Sequence, residues 1–240
     1  MPLRTILAGA ALIAGFAAGG SPVADIVPTR AVYRTIVVYQ GQEQDVGNRS
    51  VTVGSVEIEG VPAWRVVTEL RIEGQVTGDT VEFRRADLQP LGRRAKFGEA
   101  ELTLIVDKDF AWGLLLVSKN LVPLNVPLGK TPFLNYYALR TALAAWHLDS
   151  AWRSQVSILE LNDEPQFLPL TLSVVGQERV TVPAGEYDCW VVTAAGSAGR
   201  LEVRERYWVS KEGGFVVRTD EVFGDQGAHL QLQLAELHRP

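Results

Sequence analysis

The residues of this 240-residue chain that could do chemistry are few, and their spacing argues against a reaction. Ser197 lies in the segment Ala195-Gly196-Ser197-Ala198-Gly199, which matches a variant of the nucleophile elbow. Such an elbow needs a helix after the serine, whereas residues 201–209 alternate like a strand, so the segment is predicted to be a hairpin loop. Cys189, the single cysteine, also lies in an alternating strand pattern with no Lys or His beside it. We expect a buried, unreactive thiol, because a reactive cysteine needs a neighbour that lowers its pKa.

Metal-binding patterns are equally weak. The three histidines, His147, His229 and His238, are too far apart in the sequence to form a zinc motif. The acidic residues near positions 163 and 220 lack the spacing of a calcium loop. We therefore predict no catalytic residue, no metal site and no cofactor, and we interpret the protein as a non-enzyme.

Composition narrows the class of partner. The chain has 23 Lys and Arg residues against 28 Asp and Glu residues, which gives a formal net charge of −5. A mildly acidic chain lacks the positive surface that binds phosphate backbones, so no nucleic-acid partner is predicted. Hydrophobic residues make up 47% of the chain, a proportion typical of a globular domain. The sequence indicates neither a protein partner nor an oligomeric state.

The first 20 residues have the layout of a secretory signal peptide. Arg4 supplies a positive charge, residues 6–18 are apolar, and Ala18-Gly19-Gly20 offers small residues for cleavage before Ser21. The alternative is an uncleaved anchor, but the apolar run is shorter than the roughly 20 residues that a membrane span needs. We predict a signal peptide over 1–20, a single domain over 21–240, a periplasmic or secreted location, and no stable membrane span after cleavage.

Most of the chain after the signal peptide alternates in the manner of β-strands. Between Trp64 and Glu73, apolar residues on one side alternate with charged or polar residues on the other, which is typical of a half-exposed antiparallel strand. Similar runs recur about every 10 residues with turn signals between them. The sequence predicts a mainly β protein: a single large curved antiparallel sheet, a half-barrel of about a dozen strands.

One segment has the spacing of a helix instead. Thr131 offers an N-cap and Pro132 suits the first helical position. Apolar residues then recur at helical intervals as far as Trp146. The pattern predicts one principal helix over 132–147, lying on the concave face of the sheet.

The segment 121–128 is apolar but contains Pro123 and Pro127, which rule out a central strand. We predict a loop over apolar surface, which either covers the core or acts as a mobile flap over a hydrophobic cleft. The residues predicted to contact an apolar ligand come from this segment and from the helix: Leu124, Val126, Leu128, Leu139, Leu143 and Trp146.

Residues 179–190 contain Val182-Pro183-Ala184-Gly185-Glu186-Tyr187-Asp188, and Tyr207-Trp208-Val209 follows later. These motifs resemble a family of exported bacterial proteins of unknown function, marked by a V-P-A-G-x-[FY]-[DE] hairpin. More distantly, the chain is similar to the LolA/LolB-like lipoprotein-carrier superfamily. That resemblance implies a curved antiparallel sheet whose concave face, covered by helices, holds acyl chains. It implies no catalytic residue.

Three functions remain open at this point. The first is an exported, non-enzymatic protein that binds a lipid, an acyl chain or another apolar small molecule in the half-barrel. The second is a structural or interaction module of the cell envelope with a filled core and no ligand. The third is a hydrolase that uses Ser197 or Cys189. The first is the preferred hypothesis.

Overall fold

The computed structural model describes residues 26–72, 75–161, 164–198, 201–223 and 228–239; the predicted signal peptide lies outside them. In the described part of the chain, one sheet of 15 strands accompanies a single α-helix. The elements are β1 (Thr29–Tyr39), β2 (Gln42–Ile58), β3 (Val61–Ile72), β4 (Gln75–Arg84), β5 (Pro90–Phe97), β6 (Ala100–Asp107), β7 (Phe110–Val117), β8 (Asn120–Pro127), β9 (Pro132–Phe133), α1 (Tyr136–Ala145), β10 (Arg153–Glu160), β11 (Gln166–Val182), β12 (Gly185–Ala198), β13 (Leu201–Ser210), β14 (Val216–Phe223) and β15 (Ala228–His238).

The strands follow one another through the sheet in a simple meander. Their order is β8-β7-β6-β5-β4-β3-β2-β1-β15-β14-β13-β12-β11-β10-β9, so β1 and β15, which are far apart in sequence, pair at the middle. All neighbours are antiparallel except β9 and β10. The predicted fold class, one large antiparallel sheet with one principal helix, is therefore confirmed. The sheet is open, with β8 and β9 at its edges.

The number of strands is larger than the dozen expected, because several strands carry weak signals. β5 has the sequence PLGRRAKF, in which Pro, Gly and three charged positions hide the alternation. It is stabilised by a tertiary contact: Arg93 is buried and forms an ion pair with Asp79 of β4, with 2.8 Å between Nη2 and Oδ2. A buried arginine of this kind is not distinguishable from a surface arginine in the sequence alone.

Helix α1 lies between the two halves of the curved sheet, since it contacts β3 on one side and β13 and β14 on the other. Its side chains Ala138, Leu139, Ala142 and Leu143 are almost fully buried in the main hydrophobic core. The same core takes the apolar side of β3, where Trp64 and Val66 are buried as the alternation predicted. Each side chain of this size contributes about 1.5–3 kcal/mol when it leaves water, so the helix binds the two halves of the sheet together.

The helix is shorter than predicted, and its first residues differ. It spans Tyr136–Ala145, and Pro132 belongs to β9 instead. The N-cap is Asn135, whose side-chain oxygen accepts a hydrogen bond of 2.8 Å from the Ala138 N–H. The Asn135 amide also donates to Asp79 of β4 at 3.0 Å. This contact with a distant strand selects Asn135 over Thr131, which explains why the local sequence gave the wrong start.

The segment 121–128 is not a loop, contrary to the prediction. Residues 120–127 form β8, which pairs along its length with β7. The two prolines are tolerated because β8 is an edge strand, and its outer side needs no backbone N–H donors. Leu124 and Val126 are buried in the main core. The segment therefore covers the core, which was one of the two predicted alternatives, but it does so as a strand and not as a loop.

Candidate functional site

The six residues predicted to bind a ligand all belong to the main core or pack against it. Leu139 and Leu143 are fully buried, and Leu124 and Val126 nearly so. Leu128 and Trp146 are partly buried against the same core. The structure thus brings the six together as packed neighbours of one core. Of the six, Trp146 alone lines the cleft described next.

A cleft of about 440 Å³ opens beside the C-terminal half of α1. The helix, the strands β1 and β2, and the segment between β13 and β14 form its walls. Its volume lies within the range of about 300–1,000 Å³ that is typical of small-molecule sites. The apolar lining residues come from segments spread over the chain: Ile26, Val27, Ala31, Val51, Val53, Ala144, Trp146, Leu148, Trp190, Val209, Phe215, Val216, Leu232 and Leu237.

The turn between β13 and β14 approaches the end of the helix closely, and two glycines permit it. Gly213 and Gly214 have positive φ angles of 97° and 56°, a backbone conformation that residues with a side chain rarely adopt. A Cβ atom on Gly214 would lie 2.5 Å from the carbonyl oxygen of Ala144, so the approach requires glycine. Ser210 and Phe215 close the turn with a backbone hydrogen bond of 2.9 Å. This turn forms one rim of the cleft.

Two hydroxyl groups on the floor of the cleft have internal partners, whereas the buried Oγ1 of Thr219, which also lines the cleft, has none among the described residues. The hydroxyl of Tyr33 donates a hydrogen bond of 2.9 Å to the carbonyl oxygen of Val216. The hydroxyl of Thr141 donates one of 2.8 Å to the carbonyl oxygen of Tyr137 on the same helix. Because these two hydrogen bonds are made within the protein, the Tyr33 and Thr141 hydroxyl groups need none from an occupant. An apolar molecule can therefore rest on the floor without leaving these hydroxyl groups unpaired.

Arg140 also borders the cleft, but its charge is balanced within the protein. Its Nη2 atom lies 3.3 Å from Oε2 of Glu205 and 3.9 Å from Oε2 of Glu221. The Tyr207 hydroxyl donates a further hydrogen bond to Glu205. Burial raises the pKa of the Glu205 carboxyl to about 7, against the attraction of Arg140. The cleft thus has a buried ionic network at its floor and apolar side chains along its walls.

The two candidate nucleophiles occupy structural positions. Cys189 is fully buried in a second, smaller core cluster, as predicted, and burial raises the pKa of its thiol to about 12. Ser197 lies near the end of β12, and that strand pairs with β13 directly after it, so no helix follows the serine. The predicted hairpin is confirmed, but residues 195–198 lie in strand β12 rather than in its loop.

In the ranges that the structure describes, no three His, Cys, Asp or Glu side chains are grouped so that they could hold a metal ion. Over the same ranges, no helix has the length and apolar character that a membrane crossing requires.

Comparison with known proteins assigns the chain to a family. Residues 35–231 match the model of DUF3108, described as a protein of unknown function, and the chain belongs to this family. The resemblance to a family of unknown function is confirmed at that level, while the similarity to lipoprotein carriers stays a prediction. No curated protein matches the sequence.

Solved structures resemble the fold. A beta-barrel-like protein of the domain of unknown function DUF1849 from Brucella abortus is 13% identical with a TM-score of 0.53, over 91% of this chain and 100% of that one. The hypothetical lipoprotein YmcC from Escherichia coli is 14% identical with a TM-score of 0.36, over 90% of this chain and 89% of that one. At this level of identity, the Brucella abortus structure supports the fold alone.

Proposed function

We propose that this protein is an exported, non-enzymatic binding protein that holds an apolar small molecule, such as a lipid or an acyl chain, in the cleft beside α1. The observation that carries the proposal is the cleft itself: about 440 Å³, walled by aliphatic and aromatic side chains, over a floor where the Tyr33 and Thr141 hydroxyl groups are bonded internally. Mostly apolar walls with few free polar groups are typical of sites for apolar ligands. The N-terminal segment supports the exported location.

The ligand position in this proposal differs from the one that the sequence suggested. Leu139 and Leu143 fill the space between the halves of the sheet, together with Leu124 and Val126 from β8. A chain placed among them would have to displace close-packed side chains, which costs several kcal/mol. The cleft at the end of the helix requires no such displacement. Trp146 is the residue that the two positions share.

A second function has its own support. Ile105 on β6 and Trp112 on β7 are paired across the sheet, and Leu114 follows on the same strand. Each of these side chains is about half exposed, at 48%, 48% and 49%. A group of exposed apolar side chains on one face is typical of a surface that contacts another macromolecule. This face supports the alternative of a cell-envelope interaction module.

Binding of an uncharged fluorescent probe, N-phenyl-1-naphthylamine, tests the first proposal. The purified wild-type protein is expected to bind the probe saturably at one site. Ala144→Leu places a larger side chain in the cleft, because Ala144 lines it, and is expected to weaken binding about tenfold or more while leaving the fold intact. Ala151→Leu makes the same change at an exposed turn outside the cleft and serves as the matched control.

Two results would contradict the binding proposal. One is wild-type protein that binds no probe and yields no lipid by mass spectrometry after purification from its host and organic extraction. The other is equal probe binding by Ala144→Leu and Ala151→Leu, which would place the probe elsewhere. Either result favours the interaction module.

A further inference from the structure

The charged residues that line the cleft are all basic. Arg140, Lys211 and Arg239 border it together with His147, and no Asp or Glu is among the described residues of its lining. The chain as a whole has the opposite balance, with 28 acidic and 23 basic residues. A cleft that lacks carboxylates in an acidic protein therefore differs from the rest of the surface. The basic lining therefore bears on which class of ligand the cleft binds.

Lys211 and Arg239 are exposed and are held at the rim by aromatic side chains of the cleft wall. The Lys211 ammonium lies 4.6 Å from the centre of the Trp190 ring and donates a hydrogen bond to Oε1 of Gln177. The Arg239 guanidinium lies 4.9 Å from the centre of the Phe215 ring. It also donates a hydrogen bond of 2.7 Å to the carbonyl oxygen of Gly213. Both cations are thus positioned where apolar wall meets solvent.

Neither rim cation is neutralised by a carboxylate in the described ranges. Their hydrogen-bond acceptors are uncharged: an amide oxygen for Lys211 and a backbone oxygen for Arg239. Lys96, by contrast, is an exposed cation elsewhere on the sheet that pairs with Glu101 at 2.8 Å. The positive charge at the rim is therefore available to an anion that comes from outside the protein.

The rim and the floor of the cleft differ in charge balance, and this difference determines how a bound anionic ligand would be oriented. On the floor, Arg140 already has Glu205 as its partner, so an incoming anion would compete with a buried carboxylate. At the rim, an anion would meet two cations without such competition and keep part of its hydration. An apolar chain attached to that anion would lie along the aliphatic and aromatic walls below.

We infer that the ligand is an anionic amphiphile: an acyl chain lies in the cleft, and its carboxylate or phosphate head contacts Lys211 and Arg239 at the rim. The inference rests on the proposed function, since it names the class of molecule that the same cleft takes. A carboxylate and a phosphate ester share the relevant chemistry, which is a negative head on an apolar chain.

Displacement of the bound, uncharged N-phenyl-1-naphthylamine tests the inference with matched competitors. Dodecanoate and dodecyl phosphate carry the anionic head, and dodecanol has the same chain without the charge. At pH 8 and low salt, the two anions are expected to displace the probe from wild-type protein at about three- to tenfold lower concentration than dodecanol. Salt at about 1 M should reduce this preference, because the Debye length then falls to about 3 Å. Inorganic phosphate alone should not displace the probe.

Variants separate the rim cations from the net charge of the protein. The double variant Lys211→Gln/Arg239→Gln is expected to lose the preference for the anions while it keeps the affinity for dodecanol and the probe. The control Lys119→Gln/Arg94→Gln removes one Lys and one Arg that are exposed outside the cleft, and it should behave like wild type.

Three outcomes would overturn the inference. If the double variant keeps the full preference for anions, the head lies elsewhere. If inorganic phosphate displaces the probe as well as dodecyl phosphate does, the site takes an anion rather than an amphiphile. If dodecanol competes as well as the anions in wild type while the probe still binds, the cleft takes uncharged ligands and the proposed function stands alone. Failure of wild-type protein to bind the probe, together with the absence of any lipid in its organic extract, removes both proposals.

Discussion

The two sides of helix α1 show how differently one element can be used. On one side, Leu139 and Leu143 are completely buried against strands from both halves of the sheet. On the other side, Arg140, Thr141 and Ala144 border a cleft of about 440 Å³. Close packing on the first side holds the fold together, and on the second side the turn at Gly213 and Gly214 approaches the helix at Ala144, near its end. The comparison separates residues that maintain the fold from residues that could meet a ligand.

Leu143→Ala is expected to produce the largest effect, and it tests the closely packed side of the helix. Removal of a fully buried leucine should lower the free energy of unfolding by about 2–5 kcal/mol, because lost burial and a new cavity add together. Probe affinity of the remaining folded protein should not change. Urea titration measures the stability, and fluorescence titration below the transition measures the affinity.

Leu148→Ala is the matched comparison at the cleft, because Leu148, just beyond the end of α1, is half-buried and lines the cleft. We expect it to cost less stability than Leu143→Ala and to weaken probe binding. The reverse pattern, in which Leu143→Ala weakens binding and Leu148→Ala does not, would mean that the apolar ligand occupies the space between the halves of the sheet, as the sequence suggested.

The contrast between the two sides also explains what the sequence could predict. Leu139 and Leu143 follow helical spacing, and Trp64 and Val66 follow strand spacing, so periodicity correctly identified the helix and the alternating strand. β5 was missed because its burial depends on the ion pair between Arg93 and Asp79. Local spacing contains no information about such a partner.

The cleft could not be predicted for a related reason. Its walls combine residues from both ends of the chain, such as Val27 and Leu237, with Trp146 from the middle. Pairing of β1 with β15 brings the two ends together, and this pairing is a property of the whole sheet. The sequence did contain one usable signal, which is the Gly213-Gly214 pair beside the strand that contains Trp208. Adjacent glycines often mark a close backbone approach.

Stability should depend on pH through Glu205, which lies under the open side of the helix. Its pKa is raised from 4.5 to about 7 in the folded protein, so between these values the folded state holds a proton that the unfolded chain has lost. Stability from this group is therefore greatest at low pH and is lost as the pH rises from about 4.5 to 7. Glu205→Gln removes the titration. The stability of the variant relative to wild type should rise by roughly 3 kcal/mol across the window, since one pKa unit corresponds to about 1.4 kcal/mol.

Glu202→Gln provides the control for this measurement, because Glu202 is exposed on the same strand. Urea titrations of the three proteins at several pH values between 4.5 and 8 give the required differences. Parallel stability profiles for wild type and Glu205→Gln would show that the buried carboxyl does not titrate in this range.

Cys189 and Trp190 allow the packed and open regions to be compared at two adjacent residues, by a labelling rate and without a change of stability. Trp190 lines the cleft, whereas the adjacent Cys189 is buried in the smaller core cluster, where its raised pKa leaves little thiolate at neutral pH. A thiol reagent such as 5,5′-dithiobis(2-nitrobenzoic acid) should therefore react with native protein at least about a hundredfold more slowly than with protein unfolded in urea. The ratio of the two rates reports how rarely the strand at Trp190 opens far enough to expose the Cys189 thiol. Rapid labelling of native protein that slows when the cleft is filled by a ligand would show that the cleft and the cluster open together. Cys189 would then belong to the region that opens with the cleft, and its thiol would be a residue of the site.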